Sequence, residues 1–311
     1  MSLKMRSNIM LFITALIWGT AFVAQKSGMD YVEPFTFNGI RTLIGAVVLT
    51  PVIIVMDRQK KSSAASPDGS SAYVEDEARA NGGRKWLLLG GLCCGTVLFI
   101  GGSLQQVALQ TTSAGKAGFI TALYIVLVPV LGLFMKKKVR PIVWFCVAAS
   151  AVGLFLLCVP KGEHLSGIGF GEVLLFISSV WFAVHILVID YFVEKVDGVK
   201  LSQMQFIVCG IFSLLVMFLF ENPSMEAILS CWFPILYTGM FSQGIAYTFQ
   251  VVAQKHADPT SASLILSLES VFSVVAGAII LHEMMSGREI IGCILMFAAI
   301  IVAQLPESKA E

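Results

Sequence analysis

Long apolar segments, separated by short polar connections, repeat along the whole chain. A segment of about 20 apolar residues is long enough to cross a bilayer as a helix. The helical conformation is required there because lipid offers no hydrogen-bond partners to an open backbone. The pattern therefore predicts an all-α polytopic membrane protein with ten transmembrane helices. The ten segments fall at residues 8–26, 35–56, 86–109, 114–135, 141–159, 170–191, 201–220, 232–254, 259–281 and 287–304.

The composition agrees with this pattern. Apolar residues make up 57% of the chain and charged residues only 13%, with a mean hydropathy of +0.83, whereas soluble domains carry about 25% charged residues. The net charge of +1 gives no reason to expect a nucleic-acid partner. The seven cysteines lie in or beside apolar segments without C-x-x-C spacing. That distribution is typical of packing residues rather than of disulfides or metal ligands.

The basic residues predict the orientation in the membrane. If the N-terminus is cytoplasmic, 16 Lys and Arg residues fall in cytoplasmic segments and four on the opposite side, which satisfies the positive-inside rule. The first apolar segment has the basic flank of a signal peptide, but no small-residue cleavage site follows, so it is predicted to remain as the first helix. We expect a multi-pass plasma-membrane protein, in a bacterium the inner membrane, with both termini cytoplasmic.

The chain contains a weak internal echo. Residues 253–283 repeat the pattern of residues 108–138 at an offset of 145, with seven identities in 31 positions. Most identities recur every three or four residues, which is the spacing of one helical face. The echo pairs Tyr124 with Glu269. Outside it, Gln105 aligns with Gln250 at the same offset and Trp18 with Trp181 at an offset of 163.

The echo predicts two five-helix repeats, over residues 8–159 and 170–304, with a flexible cytoplasmic loop at 57–85 that is rich in Ser, Ala, Gly and charge. An odd number of helices in each repeat inverts the second relative to the first. Transporters built from inverted repeats bind substrate between the repeats, near the membrane midplane. The two repeats are therefore expected to form one transport unit with a central cavity.

Three stretches carry a resemblance to a known family. They are LIWGTAFVAQK at 16–26, FNGIRTLIGA at 37–46 and the run from Leu264 to Ala303. Together they resemble the EamA-type, ten-helix branch of the drug/metabolite transporter superfamily. In this resemblance Glu283 takes the Glu after helix nine and Gly292 the Gly that opens helix ten. The chain departs from the family pattern where Ser270 replaces a frequent Pro and Lys138 a frequent Glu. The resemblance implies an exporter or facilitator of amino acids, other small metabolites or drugs.

The candidate substrate-binding residues are polar or aromatic side chains in the predicted spans: Trp18, Gln105, Tyr124, Trp181, His185, Tyr247, Gln250 and Glu269. Polar groups there can line a cavity or join helices, and the Trp rings can stack on substrate or pack. A charge at mid-membrane depth costs at least a few kcal/mol, so Glu269 is either a proton-coupling carboxyl or a structural one. His185 is the second proton-coupling candidate, against a buried structural histidine.

Two further charges are expected to be structural. Arg41, a turn or so inside the second helix, is predicted to pair with an acidic residue or to extend towards a headgroup. Glu283 is predicted to cap or pair at the end of helix nine. The dipeptide His282-Glu283 suggests a zinc-protease motif, but Ser286 stands where that motif needs its second His. No metal and no cofactor are therefore expected.

The leading hypothesis is a carrier of small metabolites, such as amino acids or amphipathic compounds, that works by alternating access and is monomeric or homodimeric. Proton coupling is an open part of this hypothesis. The alternatives are a multidrug efflux carrier and a non-transport membrane receptor or scaffold. An intramembrane enzyme is not favoured, because no predicted span supplies a paired Asp, a Ser with a His, or zinc ligands.

Overall fold

The computed structural model describes residues 2–64, 72–137, 139–158, 169–280 and 286–305, and every regular element in those ranges is helical. The α-helices are α1 (Leu3–Gly28), α2 (Pro34–Ala64), α3 (Ala72–Ala108), α4 (Ala114–Thr121), α5 (Tyr124–Phe134), α6 (Pro141–Cys158), α7 (Phe170–Val193), α8 (Gly198–Phe220), α9 (Met225–Ser230), α10 (Trp232–Tyr237), α11 (Thr248–Gln254), α12 (Pro259–Leu266), α13 (Glu269–Ile280) and α14 (Gly287–Gln304). A π-helix, Thr238–Tyr247, joins α10 to α11.

Within the described residues, seven helical segments are long and apolar enough to cross a membrane. Two shorter apolar helices cover Pro141–Leu156 and Ile290–Ala303, and the predicted segment 232–254 is helical throughout as α10, the π-helix and α11. The prediction of an all-helical polytopic membrane protein is confirmed. The exact number of ten spans stays a prediction.

The structure of residues 57–85 differs from the flexible loop that the sequence predicts. Residues 57–64 belong to α2 and residues 72–85 to α3, because the Lys, Arg, Gln, Glu and Ala residues of these stretches favour helix. Residues 65–71 lie outside the described part of the chain. So do Glu283, Lys138 and residues 160–168 of the linker predicted at 160–169 between the halves.

Large apolar side chains cover the outer faces of the bundle. Phe134, Phe145, Phe170 and Phe218 are all more than two-thirds exposed. A surface of this kind is unstable in water and is the surface that lipid covers. The exposure pattern agrees with a multi-pass membrane protein.

Equivalent helices of the two halves pack against each other and run antiparallel. At one end of the α2–α8 pair, the Glu221 carboxylate accepts a hydrogen bond from the Thr36 backbone N–H at 2.7 Å. At the other end, Lys200 Nζ lies 2.7 Å from Asp57 Oδ1. The α6 and α14 helices are also antiparallel. Arg140, just before α6, donates to the Ala303 carbonyl near the end of α14 at 2.7 Å, while Gly153 near the end of α6 lies against Gly292 near the start of α14. The second half is therefore inverted relative to the first.

The helices that meet at the centre are broken at equivalent positions. The α4–α5 break falls between Thr121 and Tyr124, and the α12–α13 break between Leu266 and Glu269, which is the 145-residue offset of the sequence echo. At each break the backbone hydrogen bond shortens to a three-residue spacing: Leu123 donates to Ile120 at 3.2 Å, and Leu268 to Ile265 at 3.2 Å. The breaks place the first residues of α5 and α13 in the middle of the bundle.

Helix α1 of the first half packs between the π-helix and α13 of the second half. The Thr14 hydroxyl donates to the Ala246 carbonyl at 3.0 Å. Gly19 permits the contact with α13, because a Cβ atom there would lie 2.5 Å from the Phe272 Cβ and 2.7 Å from the Glu269 carbonyl oxygen. This close approach brings one face of α1 to the break between α12 and α13.

Candidate functional site

A small cavity lies between the two halves, at the level of the helix breaks. Its lining combines one carboxyl group, one guanidinium, two amides, hydroxyl groups and aromatic rings. The lining residues are Trp18, Phe22, Gln25, Arg41, Gln105, Thr121, Tyr124, Phe182, Ser242, Tyr247 and Glu269. All of them except Trp18 are buried, so the cavity is nearly enclosed.

Glu269 and Tyr124 meet directly in this cavity. The Tyr124 hydroxyl donates to Glu269 Oε1 at 2.9 Å, and both side chains are buried. Each is the first residue of the helix that follows a break, α13 for Glu269 and α5 for Tyr124. The N-terminus of a helix favours a negative charge. The pair that the sequence echo predicted is therefore a real contact, made where the two halves join.

The other polar wall comes from the first half. The Gln105 amide donates to the Thr121 hydroxyl at 3.0 Å, which leaves the Gln105 carbonyl oxygen as an acceptor. Gln25 is buried, and its Oε1 atom has no hydrogen-bond partner among the described residues. A buried polar atom without a partner is costly, so the cavity offers hydrogen-bonding capacity to an incoming molecule.

Aromatic rings form the remaining wall. The Trp18 and Tyr247 rings lie 4.5 Å apart between centroids, and the Trp18 indole N–H donates to the Ser242 carbonyl at 3.4 Å. Phe22 and Phe182 complete this side. Such a wall binds apolar or planar groups of a ligand.

Arg41 corrects the sequence-based expectation. Its Nε atom donates to Asn38 Oδ1 at 2.9 Å, and its guanidinium carbon lies 5.3 Å from the centroid of the Phe37 ring. Among the described residues no carboxylate forms an ion pair with it, and it is buried rather than extended towards a headgroup. The expected acidic partner is not found because the side chain faces the cavity. Arg41 is therefore a positive group available to a ligand.

Three predicted site residues lie away from the cavity. His185 Nε2 is 2.9 Å from Gln205 Oε1, and the His185 ring lies 6.0 Å from the Tyr247 ring, but His185 is not among the residues that line the cavity. Gln250 is buried with an Oε1 atom that has no partner in the described ranges. Trp181 packs beside Gly101 of α3.

The sequence did not single out Phe22, Gln25, Thr121, Phe182 and Ser242 as lining residues. Phe22 and Gln25 carried a usable signal, because they lie four and seven residues after Trp18, on one helical face. Thr121 directly precedes a break that the sequence does not reveal. Ser242 lies in the π-helix, whose wider turn changes which side chains share a face.

The site can bind a small molecule but offers no metal ligands in the described residues, where no group of three His, Cys, Asp or Glu side chains lies together. Its distinctive property is the presence of opposite charges on opposite halves. Arg41 comes from α2 and Glu269 from α13, with amides and aromatic rings between them.

Known proteins resemble the chain over most of its length. An uncharacterized transporter of Archaeoglobus fulgidus is 25% identical over 309 residues, which cover 97% of this chain and 87% of that protein. The uncharacterized transporter YoaV of Bacillus subtilis is 22% identical, with coverage of 95% and 96%. A chloroplastic WAT1-related protein of Arabidopsis thaliana is 23% identical, with coverage of 94% and 68%.

The fold is also known from experiment. One crystal structure superposes with a TM-score of 0.71 at 19% sequence identity and covers 96% of both chains. The EamA-like transporter family matches two segments, residues 5–159 and residues 169–304. These segments make up nearly the whole chain, which confirms the resemblance seen in the three sequence stretches. The protein therefore belongs to the EamA-like transporter family, and it is a membrane transporter.

Proposed function

We propose that this transporter carries small zwitterionic metabolites, of which amino acids are the simplest, by alternating access of its central cavity. It does so in the plasma membrane, with both termini cytoplasmic. The observation that supports this most is the nearly enclosed cavity between inverted halves, with Arg41 on one half and Glu269 on the other. Inverted-repeat carriers bind substrate at such an interface and move the halves around it.

The chemistry of the cavity favours a zwitterion over an ion of one sign. Arg41 has no carboxylate partner among the described residues, and a guanidinium binds a carboxylate with two directional hydrogen bonds. Glu269 is held by one hydrogen bond from Tyr124, and its second oxygen can accept from an ammonium group. The ring of Trp18 is placed to contact the apolar part of the substrate.

Proton coupling is the second part of the proposal. The Glu269 carboxyl group can hold a proton or bind the substrate ammonium, but the two compete for the same oxygen atoms. A substrate that leaves would then be replaced by a proton during the return step. His185 is a weaker candidate for this role, because it does not line the cavity and its Nε2 atom is paired with Gln205.

Uptake into reconstituted vesicles tests the substrate class. We expect a neutral amino acid to be taken up above the level of protein-free vesicles, and its ester and N-acetyl analogues, each with one charge removed, to compete poorly. Arg41→Gln should weaken binding of the amino acid by roughly 10- to 100-fold, as expected for a lost charge-assisted hydrogen bond of about 1.5–3 kcal/mol.

The same change at an exposed arginine provides the matched control. Arg6 lies at the exposed start of α1, so Arg6→Gln should leave uptake unchanged. Equal competition by the amino acid and by both single-charge analogues would show that the two charges do not select the substrate, and the zwitterion assignment would then be wrong.

A further inference from the structure

The three predicted residues outside the cavity share a property. Trp181, His185 and Gln250 all belong to the second half, and each has a repeat equivalent in the first half, at the offset of 163 for the first two and of 145 for Gln250. These equivalents all line the cavity. They are Trp18, Phe22 and Gln105.

Because the two halves are inverted, equivalent residues of the two halves are expected to serve opposite sides of the membrane. In a carrier made of two inverted halves, one half moves against the other around a shared site, and the pseudo-two-fold axis relates the opening on one side of the membrane to the opening on the other. The second-half equivalents of first-half residues that line the cavity in one state are then placed to line the opening in the other state. The present cavity lies towards the end of the molecule where α1 and α3 finish, because Gln25 and Gln105 lie three residues before those helix ends.

A second, larger space lies at the opposite end, which carries the start of α1 and the end of α14. This space, the vestibule, has a volume of about 490 Å³. Its charged walls contain both signs, with two lysines and three carboxylates beside one histidine. The charged and histidine lining residues are Lys137, Asp190, Glu194, Lys255, His256 and Asp258. Walls of mixed charge suit a molecule with both charges better than an ion of one sign.

One helical face connects the two spaces. Tyr247 lines the cavity, Gln250 follows three residues later, and Gln254 follows after four more and lines the vestibule. This spacing keeps the three side chains on one side of the helix. The Oε1 atoms of Gln250 and Gln254 are buried without partners in the described part of the chain. Unpaired polar groups between the cavity and the vestibule are expected if a polar passage between these two spaces is closed in this structure.

Two side-chain bonds hold α7 over this face. The Gln254 amide donates to the Ile186 carbonyl at 2.9 Å, which joins α11 to α7. At the vestibule, Lys137 at the end of α5 forms an ion pair with Asp190 of α7. Both bonds must break before α7 can move away from α5 and α11.

Building on the proposed carrier function, we infer that Trp181, His185, Gln250 and Gln254 line the substrate passage of the opposite-facing state. This passage opens into the vestibule when α7 separates from α5 and α11. It takes the same zwitterionic class of molecule as the cavity, and Lys137 and Asp190 form the latch that keeps it closed in the present state.

Thiol labelling in lipid nanodiscs tests this inference without any substrate. Cysteine would replace Trp18 or Gln105 in the cavity, and Trp181 or Gln250 in the passage, with labelling by a maleimide measured above the parent chain and its native cysteines. Adding Asp190→Asn should speed labelling at Trp181→Cys and Gln250→Cys on the order of tenfold, the effect of about 1.4 kcal/mol on an equilibrium. It should slow labelling at Trp18→Cys and Gln105→Cys.

The matched control is Asp57→Asn. It breaks an ion pair between α2 and α8 at the same end of the molecule, but Asp57 lines neither space, so it should change none of the four rates. Two positions in each set protect the test against the misfolding of one variant. If Asp190→Asn changes both sets in the same direction, or changes neither, the inference is wrong.

The outcome is separable from that of the proposed function. Reciprocal labelling without amino-acid uptake would support the passage and reject the substrate class. Uptake without reciprocal labelling would support the carrier and reject this passage.

Discussion

Glu269 has the most specific environment of any residue in the cavity. It is a carboxyl group buried at the centre of a helical bundle, and its contact with Tyr124 joins the two halves. A buried charge at this depth persists only where function or a partner maintains it. One hydrogen bond from a neutral hydroxyl does not replace an ion pair, and the proposed exchange of a proton for a substrate ammonium would supply the missing counter-charge at this carboxyl group.

Replacing Glu269 with Gln should separate coupling from transport. The amide keeps the shape and the hydrogen bond from Tyr124 but cannot exchange a proton. We expect Glu269→Gln vesicles to lose the accumulation driven by a pH gradient, because intramembrane carboxyl groups are what proton-coupled carriers use to take up and release the proton. Downhill exchange should persist at a reduced rate.

Glu226→Gln is the control for this experiment, because Glu226 lies on the exposed helix α9. Its vesicles should respond to the pH gradient as the parent does. Accumulation in Glu269→Gln vesicles that responds equally well to the gradient would show that this carboxyl group does not couple transport to protons.

Residue by residue, the sequence indicated positions related by repeat symmetry and missed those that depend on helix geometry. The echo at 145 residues predicted the Tyr124–Glu269 pair because symmetry places equivalent positions at one depth. The exposure of Arg41 to a cavity could not be predicted, since the sequence does not specify which face of α2 meets the second half. The sequence also did not predict the role of Ser270. Its hydroxyl donates to the Gly118 carbonyl at 3.1 Å and joins α13 to α4.

At the scale of helices, the cavity exists because two of them are broken. The breaks before Tyr124 and Glu269 move side chains inward that a continuous helix would place elsewhere. The sequence could predict the helical segments from their length and hydropathy. It could not predict the breaks or the π-helix, because no proline or glycine lies at residues 121–124 or 266–269 to mark them.

The close contact between α1 and α13 gives a prediction about stability. A methyl group added at Gly19 would collide with Phe272 and with the Glu269 backbone. Overpacking of this kind costs about 1–3 kcal/mol, so Gly19→Ala should lower the thermal unfolding temperature in detergent and reduce transport. Gly102→Ala is the control, because nothing lies within 4 Å of a Cβ atom there. A Gly19→Ala protein as stable as Gly102→Ala would contradict this packing.

For the molecule as a whole, the sequence predicted the architecture well and the conformational state not at all. An all-helical membrane protein with inverted halves follows from hydropathy, an odd number of helices per half and the internal echo. A carrier that alternates has two arrangements of the same halves, and one sequence has to encode both. The sequence therefore predicts Trp181, His185 and Gln250 as site residues without specifying the state in which they line a cavity, and in this structure they do not line it.

The central claim is that a single site alternates between the two faces of the membrane. Uptake of a labelled neutral amino acid into vesicles, with and without the same unlabelled amino acid inside, tests it most directly. A carrier that returns faster when loaded should take up label faster into the preloaded vesicles, and Arg41→Gln should lose this acceleration. If preloading leaves the initial rate unchanged, or if uptake never exceeds that of protein-free vesicles, the alternating-access account is contradicted.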